Sequence, residues 1–244
     1  DIDRLSRDTP NLCKVSPATS NYFMEDVHRA GGVYGILGEL DRLGLLDTRA
    51  GCVHAPSLAA ALARWDVKRS EDRAVHRFYR AAPGGVRTTQ AFSQDKRYAM
   101  LDLDREKGCI RAGHAAYASN GGLAVLRGNL SPDGCVVKAA AVVPELHRFR
   151  GTAIVFDSEI SARDAIEHGT VRPGHAVIIR YEGPRGGPGM QEMSKPAVVF
   201  TSMGLHPSCA LITGGRVSGA NAGLAIAHVS PEAAAAGAIG VIGD

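Results

Sequence analysis

The sequence lacks the patterns that mark membrane, secreted and nucleic-acid-binding proteins. No apolar stretch reaches the roughly 18 residues that a membrane helix needs, and no signal-peptide pattern opens the chain. The 28 basic and 25 acidic residues give a formal net charge of only +3, and they are spread without a block of like charges. Such a balance gives little support to binding of nucleic acid or of a membrane surface. We therefore expect a cytoplasmic protein whose partners include neither.

Cysteine is scarce and shows no pattern typical of metal or disulfide sites. The five cysteines lie far apart, at Cys13, Cys52, Cys109, Cys135 and Cys209. The sequence has no C-x-x-C pair and no cysteine–histidine spacing of the kind found in zinc sites. An odd number of widely spaced cysteines argues against a secreted disulfide framework and predicts reduced, mostly buried thiols.

The chain is long enough for one large domain or two modest ones, and its first hundred residues have helical patterns. One predicted helix has its apolar residues at helical spacing, followed by a glycine stop: Val33, Ile36, Leu37, Leu40 and Leu43, then Gly44. A second begins at Pro56 and puts Leu58 and Leu62 on one face. The polar stretch 71–107 predicts a long connecting segment.

The sequence pattern changes after about Cys109, where short runs rich in β-forming residues appear. They read GLAVLRG, CVVKAAAVV, TAIVF, HAVIIRY, AVVF, CALIT and GAIGVIG. Several are apolar throughout, which predicts strands covered on both faces, in a barrel or closed sheet with a few helices around it. One helix is predicted in SARDAIEHG, ending at Gly169. Another is predicted in SPEAAAAGA, with Ser230 as N-cap and Pro231 at the first helical position.

Two glycine-rich loops follow strong predicted strands and contain the candidate catalytic residues. YEGPRGGPGMQEM comes after HAVIIRY and contains Glu192, and GGRVSGANAG comes after CALIT and contains Ser218. Reactive groups are often held at strand ends by such turns. Glu192 is a candidate magnesium ligand or general base, and its alternative is a solvated or helix-capping glutamate. Ser218 is a candidate base or nucleophile, although it does not fit the G-x-S-x-G elbow, and its alternative is a turn serine.

Other patterns carry weaker signals. Neither loop has a Walker lysine or a G-x-G-x-x-G pattern, so phosphate binding has little support. Glu25-x-x-His28 has the spacing found on one helix of di-iron bundles, but the sequence lacks the second copy that such a site needs. We expect His28 to orient a neighbouring group or to close a helix end. The remaining histidines, such as His114 and His228, are expected to be structural.

Taken together, the motifs resemble those of a known enzyme family. The dihydroxy-acid, phosphogluconate and sugar-acid dehydratases contain seven stretches of this kind in the same order: LCKVSP, YFMEDVHRAGGVYGILGELDRLGLLD, RTTQAFSQD, GCIR, GGLAVLRGNLSPDGCVVK, VIIRYEGPRGGPGMQEM and SPEAAAAGAIGVI. The resemblance covers essentially the whole chain. The forms of GGPGMQEM and MEDVHRAGG favour the branched-chain dihydroxy-acid branch of the family.

The resemblance implies a hydro-lyase that converts a 2,3-dihydroxy acid into a 2-keto acid in valine, isoleucine and pantothenate synthesis. It implies Mg²⁺, an iron–sulfur cluster (2Fe–2S rather than 4Fe–4S) and a homodimer. The implied fold class is α/β, truncated at both ends. Residues 1–110 would be the C-terminal part of a cluster-bearing α/β domain plus linker, and residues 111–244 an incomplete β-barrel-like, swivelling domain with flanking helices. By their places in the motifs, Glu192 would bind magnesium and Ser218 would be the catalytic base.

The sequence departs from the family pattern in two respects. The cluster cysteines, the other magnesium ligands and the modified lysine would all lie upstream of residue 1, so we expect the isolated chain to be inactive. In the second loop the family reads TDGRFSGGTSG, whereas this chain has Gly214, Val217, Ala220 and Asn221 in place of aspartate, phenylalanine, glycine and threonine. These changes leave open a sugar-acid or phosphogluconate dehydratase, and also a non-catalytic module derived from the fold.

Overall fold

The computed structural model describes most of the chain as two compact units. The described residues are 1–82, 97–187, 191–218 and 221–243. The motif RTTQAFSQD at 87–95 and the substituted Ala220 lie outside them. One unit is formed by Arg7–Gly121, and the other by Asp1–Ser6 together with Gly122–Asp244. The sequence analysis placed a boundary between two family domains after residue 110. That domain boundary stays a prediction.

The longer regular elements among the described residues of the unit Arg7–Gly121 are helices, joined by irregular segments. In chain order the helices are α1 (Ile2–Asp8), which begins in the other unit, α2 (Met24–Arg29), α3 (Gly32–Arg42), α4 (Leu58–Trp65) and α5 (Arg73–Tyr79). Ser57 and Asp72 cap α4 and α5, because their side-chain oxygens accept backbone N–H groups of the first turn. α4 therefore begins after Ser57 rather than at Pro56, and it buries Leu62. α5 occupies part of the stretch that was predicted to be only a connection.

α3 buries only part of the face that its apolar residues predicted, with Ile36 packed against the buried cluster around Ile110. Val33 is 67% exposed, whereas Gly38 and Glu39 are buried. A Cβ atom at Gly38 would collide with the carboxylate of Asp66, so only glycine allows the helix to approach that group so closely. The predicted helix stop is confirmed, since Gly44 has a φ of +70° just beyond the helix.

Paired charges lie beneath α3 beside the apolar contact of Ile36. Arg105 Nε donates to Glu39 Oε1 at 2.9 Å, and neither side chain is more than 5% exposed. A second nitrogen of Arg105 donates to the carbonyl of Ala30 at 2.8 Å. Arg42 donates both to Glu39, at 2.8 Å, and to Asp66, at 2.7 Å. Because each buried carboxylate has a guanidinium partner, the cost of removing it from water is offset.

The second unit is built on one six-stranded sheet. Its strands are β1 (Ala124–Gly128), β2 (Ser131–Val137), β3 (Thr152–Phe156), β4 (His175–Ile179), β5 (Ala210–Thr213) and β6 (Leu224–Ser230). The order across the sheet is β1-β2-β6-β5-β4-β3. β3, β4, β5 and β6 pair in parallel, whereas the β1–β2 and β2–β6 pairs are antiparallel. The α/β class is confirmed, but over the described ranges the order is linear, and the predicted closure into a barrel is not observed there.

Both faces of the central strands are covered, as their apolar sequences predicted. Helices α6 (Glu159–Glu167) and α7 (Ser194–Ser202) cover one face through Ile166 and Phe200. Ile239 packs on the other face. Within the part of the chain that the structure describes, no helix combines the length and apolar character needed to cross a membrane.

Two strand predictions in this unit need correction. AVVF lies in α7 instead of a strand, because Pro196, Ala197 and Phe200 recur at helical spacing on the buried side. The strand β6 was not predicted at all. Its residues LAIAHVS alternate between buried and partly buried positions, but most are small or apolar on both faces, which conceals the alternation in the sequence.

The helix and the strand predicted near the C-terminus are also wrong. Ser230 is the last residue of β6 rather than a helix cap, and only short 3₁₀ turns follow, at Ala233–Ala235 and Ala238–Val241. Ala236 takes the left-handed conformation, with φ at +60°, and so stops the first turn. At Gly237 the chain folds back against the backbone of Pro231, so closely that a Cβ atom at this position would collide with the Pro231 carbonyl oxygen. This close return of the backbone is not compatible with a regular helix or strand.

The cysteines are free thiols, as predicted. Cys109, Cys135 and Cys209 are buried, and Cys13 and Cys52 are partly buried. They serve mainly as small core residues, which agrees with their scattered positions in the sequence.

Candidate functional site

The two glycine-rich loops leave the same edge of the sheet. β4 and β5 are parallel neighbours, and each loop follows the carboxyl end of its strand, which is where open α/β sheets commonly place their sites. The loops are also joined to one another by their backbones. Arg216 N–H donates to Gln191 O at 3.1 Å, and Met193 N–H donates to Arg216 O at 2.8 Å. This parallel bridge aligns Glu192 with Arg216.

The structure brings Glu192 and Ser218 together. The backbone N–H of Ser218 donates to Glu192 Oε1 at 2.7 Å, which holds the carboxylate against the second loop. Glu192 does not cap the helix that follows it, since the N-cap of α7 is Met193, with no side-chain cap hydrogen bond. A carboxylate and a hydroxyl-bearing residue thus share one end of the sheet, although they are 26 residues apart in the chain.

Both ends of the first loop are attached to Glu159, the first residue of α6. The carboxylate of Glu182, before the glycines, accepts the Glu159 N–H at 2.6 Å. The side-chain amide of Gln191, after the glycines, donates to the Glu159 carboxylate. Glu159 and Glu182 are only 4% and 6% exposed. This contact has no signature in the sequence, where Glu159 has the pattern of an ordinary acidic residue at a helix start.

A third acidic residue holds the middle of the same loop. The carboxylate of Glu232 accepts the backbone N–H groups of Arg185, at 3.1 Å, and Gly186, at 3.4 Å. Glu232 follows β6, and β5 lies between β4 and β6 in the sheet. These hydrogen bonds therefore connect the loop after β4 to the segment after β6. Tyr181, at the start of the loop, has the left-handed backbone conformation with φ at 59°.

A small cavity lies beside Ser218. It has a volume of about 90 Å³, and its lining is partly aliphatic and partly polar: Leu123, Val136, Lys138, Val217, Ser218, Asn221, Ala225, Ala227 and His228. Two of the substituted positions of the second loop, Val217 and Asn221, therefore face the same space as Ser218. Asn221 is 4% exposed, and its side-chain oxygen has no hydrogen-bond partner among the residues that the structure describes.

His228 belongs to this region, although its sequence context suggested only a structural residue. Its backbone N–H donates to Gly215 O at 3.0 Å, and its φ of 56° is left-handed. Burial, and then the positive charge of Arg216, lowers the pKa of His228 below its usual value of 6.5. The ring is therefore neutral at neutral pH.

The donor atoms present fit one part of a magnesium site and no part of a cluster site. Over residues 1–82, 97–187, 191–218 and 221–243, no three His, Cys, Asp or Glu side chains form a group that could hold a metal ion. Mg²⁺ accepts one or two protein carboxylates and keeps several waters, so Glu192 fits the role of a single ligand. An iron–sulfur cluster needs several thiolates. Cys13 and Cys109, with Sγ atoms 3.9 Å apart, lie in the helical unit, whereas Cys135 and Cys209 lie in the other.

His28 has a local structural role. Its Nε2 lies 3.0 Å from the carbonyl oxygen of Phe78, and its ring packs against the rings of Phe78 and Tyr79. The Glu25-x-x-His28 spacing therefore reflects a packed helix surface and not a di-iron half-site.

Comparison with protein families gives two matches. The C-terminal part of the dihydroxy-acid/6-phosphogluconate dehydratases matches residues 108–244, which is more than half of the chain. The N-terminal part of the same dehydratases matches residues 1–61. Both glycine-rich loops, with Glu192 and Ser218, fall inside the first match.

Proposed function

Because the chain belongs to the dihydroxy-acid/6-phosphogluconate dehydratase family, we propose that it forms part of a hydro-lyase that converts a 2,3-dihydroxy acid into a 2-keto acid. Enzymes of this family use metal and iron–sulfur cofactors. We assign the cluster, of the 2Fe–2S type, to residues outside this chain, since its own thiols do not fit one. The proposal includes a cytoplasmic homodimer in the full-length enzyme, active in branched-chain amino-acid synthesis.

The observation that carries the proposal is the hydrogen bond from Ser218 N–H to Glu192 Oε1. It joins a carboxylate and a serine at the edge of the sheet where two glycine loops expose backbone to a ligand. Glu192 would hold Mg²⁺, which when bound supplies a Lewis acid for the substrate's carboxylate and C2 oxygens. Ser218 N–H holds one oxygen of the Glu192 carboxylate in place, and the other oxygen would be the one that contacts the cation.

Ser218 would take the C2 proton of the substrate. Ser218 lines the cavity of about 90 Å³, so a molecule bound in that space would lie against this residue. Lys138 lines the same space, and its ammonium group favours an anionic substrate there.

The cavity supports a short aliphatic substrate. Five of its lining residues, Leu123, Val136, Val217, Ala225 and Ala227, are aliphatic. The aliphatic part of this lining suits a short branched carbon chain better than a phosphorylated polyol. The polar groups of Lys138 and Asn221 in the same lining support the second candidate, a sugar-acid dehydratase of the same family.

The experiment is a comparison of substrates and variants in the full-length enzyme. Steady-state rates with 2,3-dihydroxy-isovalerate and with a sugar acid separate the two candidates. Ser218→Ala should lower kcat by about 10²- to 10⁴-fold, the usual contribution of a general base. Ser202→Ala is the matched control, since Ser202 is an exposed serine at the end of α7.

Two results would contradict the proposal. A rate in Ser218→Ala within a fewfold of wild type would remove the serine from the mechanism. A full-length protein that binds neither substrate would favour the third interpretation, a non-catalytic module derived from the fold. A large preference for the sugar acid would leave the hydro-lyase in place and change only its substrate.

A further inference from the structure

Glu159 is a buried carboxylate for which the proposed reaction has no use. It lies at the start of α6, 33 residues before Glu192, and it is 4% exposed. A carboxylate is seldom buried to this extent without a specific partner. Its partners here are the two residues that flank the glycines of the first loop.

The contacts of Glu159 close the loop at its two ends. The Glu159 backbone N–H donates to Glu182 Oε1, 2.6 Å away, before the glycines. The Glu159 carboxylate accepts the side-chain amide of Gln191 after them. We call these three residues, Glu159, Glu182 and Gln191, the Glu159 clamp.

The clamp reaches the proposed metal ligand through one peptide bond. Gln191 directly precedes Glu192, and its carbonyl oxygen accepts the N–H of Arg216 at 3.1 Å. The side chain of Gln191 is thus held from the α6 side and its backbone from the second loop. With both held, the peptide that leads into Glu192 has little freedom to rotate.

A loop this rich in glycine needs such a restraint. YEGPRGGPGMQEM contains four glycines, and glycine leaves the backbone many accessible conformations. The α6 terminus is a suitable anchor, because its first N–H groups point outward and attract the Glu182 carboxylate. Glu159 then uses its own side chain to reach the other end of the loop.

We propose that Glu159, acting through Gln191, is a positioning residue that holds Glu192 in the orientation required to bind a divalent cation. The inference rests on the proposed function, in which Glu192 is the ligand. Glu159 itself does not touch the cation or the substrate. Residues that orient metal ligands in this way typically contribute about 10- to 100-fold to metal affinity.

The test measures binding of Mn²⁺, as a paramagnetic substitute for Mg²⁺, to metal-depleted full-length enzyme by electron paramagnetic resonance. Glu159→Ala and Gln191→Ala should each weaken Mn²⁺ binding by about 10- to 100-fold. Glu159→Gln should recover most of the affinity, because its amide oxygen can still accept the Gln191 N–H. Glu167→Ala, at the exposed end of the same helix, is the matched control and should bind as wild type does.

The variant Glu192→Gln separates failure of the inference from failure of the proposed function. If Glu192→Gln weakens Mn²⁺ binding and Gln191→Ala leaves it within twofold of wild type, the positioning role is refuted and the ligand assignment stands. If Glu192→Gln has no effect either, both are refuted. Should Glu159→Ala fail to fold, Gln191→Ala decides the question, because it removes the same hydrogen bond and leaves the buried Glu159 side chain in place.

Discussion

Replacing Arg105 by methionine should destabilise the protein more than any surface charge mutation. Arg105 is 5% exposed and contacts a Glu39 that is 3% exposed, at 2.9 Å. Methionine keeps most of the apolar stem but removes all the donors. Removing one partner of a buried ion pair generally costs about 3–5 kcal/mol. Glu39 keeps the hydrogen bond from Arg42, which limits the loss on that side.

The carbonyl groups that Arg105 contacts place the expected loss within that range. Arg105→Met leaves the oxygen of Ala30, a residue with no exposed surface, without the donor that lies 2.8 Å away. It also removes the donor to Asp102 O at 3.1 Å. An unsatisfied buried acceptor costs about 1–3 kcal/mol. We therefore expect Arg105→Met to lower the free energy of unfolding by about 3–5 kcal/mol, the usual cost of removing one partner of a buried ion pair.

The assay is urea unfolding of the 244-residue chain at neutral pH, followed by circular dichroism. With an ordinary denaturant dependence, a loss of this size lowers the midpoint by about 1 M or more. Arg49→Met is the control, because Arg49 pairs with Asp47 at 2.8 Å but is 90% exposed, so no measurable change is expected. A loss below about 1 kcal/mol for Arg105→Met would show that the buried pair does not carry the stability argued here.

Three further predictions test other parts of the fold. Burial raises the pKa of Glu39, but Arg42 and other cations outweigh it and hold that pKa below 4.5. The stability that the ionised Glu39 carboxylate contributes is therefore complete above pH 4.5, and it is lost as the pH falls through the lower pKa of the folded state. The difference in urea unfolding between wild type and Glu39→Gln should shrink in acid, and a constant difference would contradict this. Leu211→Ala, at a position 1% exposed in β5, should cost about 2–5 kcal/mol of unfolding free energy, and a cost near zero would mean that the core closes around the gap. Glu232→Ala should speed hydrogen exchange at the Arg185 amide by at least tenfold, whereas unchanged exchange would show that the loop is held by other contacts.

The strand-end positions of the two candidate residues could be predicted because they depend on local signals. Glycine-rich segments after two apolar runs place Glu192 and Ser218 at strand ends, and parallel strands bring such ends together. The apolar run TAIVF likewise matches β3 residue for residue. Strands and loops of this kind can be predicted from a few neighbouring residues.

The features that escaped prediction depend on contacts between distant segments. The buried face of α3 is decided by Asp66, which lies 28 positions after Gly38 and is not visible in the helix's own spacing. The clamp at Glu159 depends on how the start of α6 meets the two ends of the first loop, where Glu182 lies 23 residues after Glu159. His228 was placed among structural histidines because its left-handed backbone has no signature in the sequence.

The left-handed backbone of Tyr181 and His228 has a consequence for engineering. Non-glycine residues in this conformation are strained by about 1–3 kcal/mol, and glycine would relieve the strain. A laboratory selection for heat resistance alone would therefore enrich glycine at both positions. Tyr181 begins the first loop, and His228 lines the cavity beside Ser218. Such a selection would therefore make the candidate site more flexible while it raised the stability of the fold. Thermostable descendants of this protein should consequently be screened for ligand binding at every round.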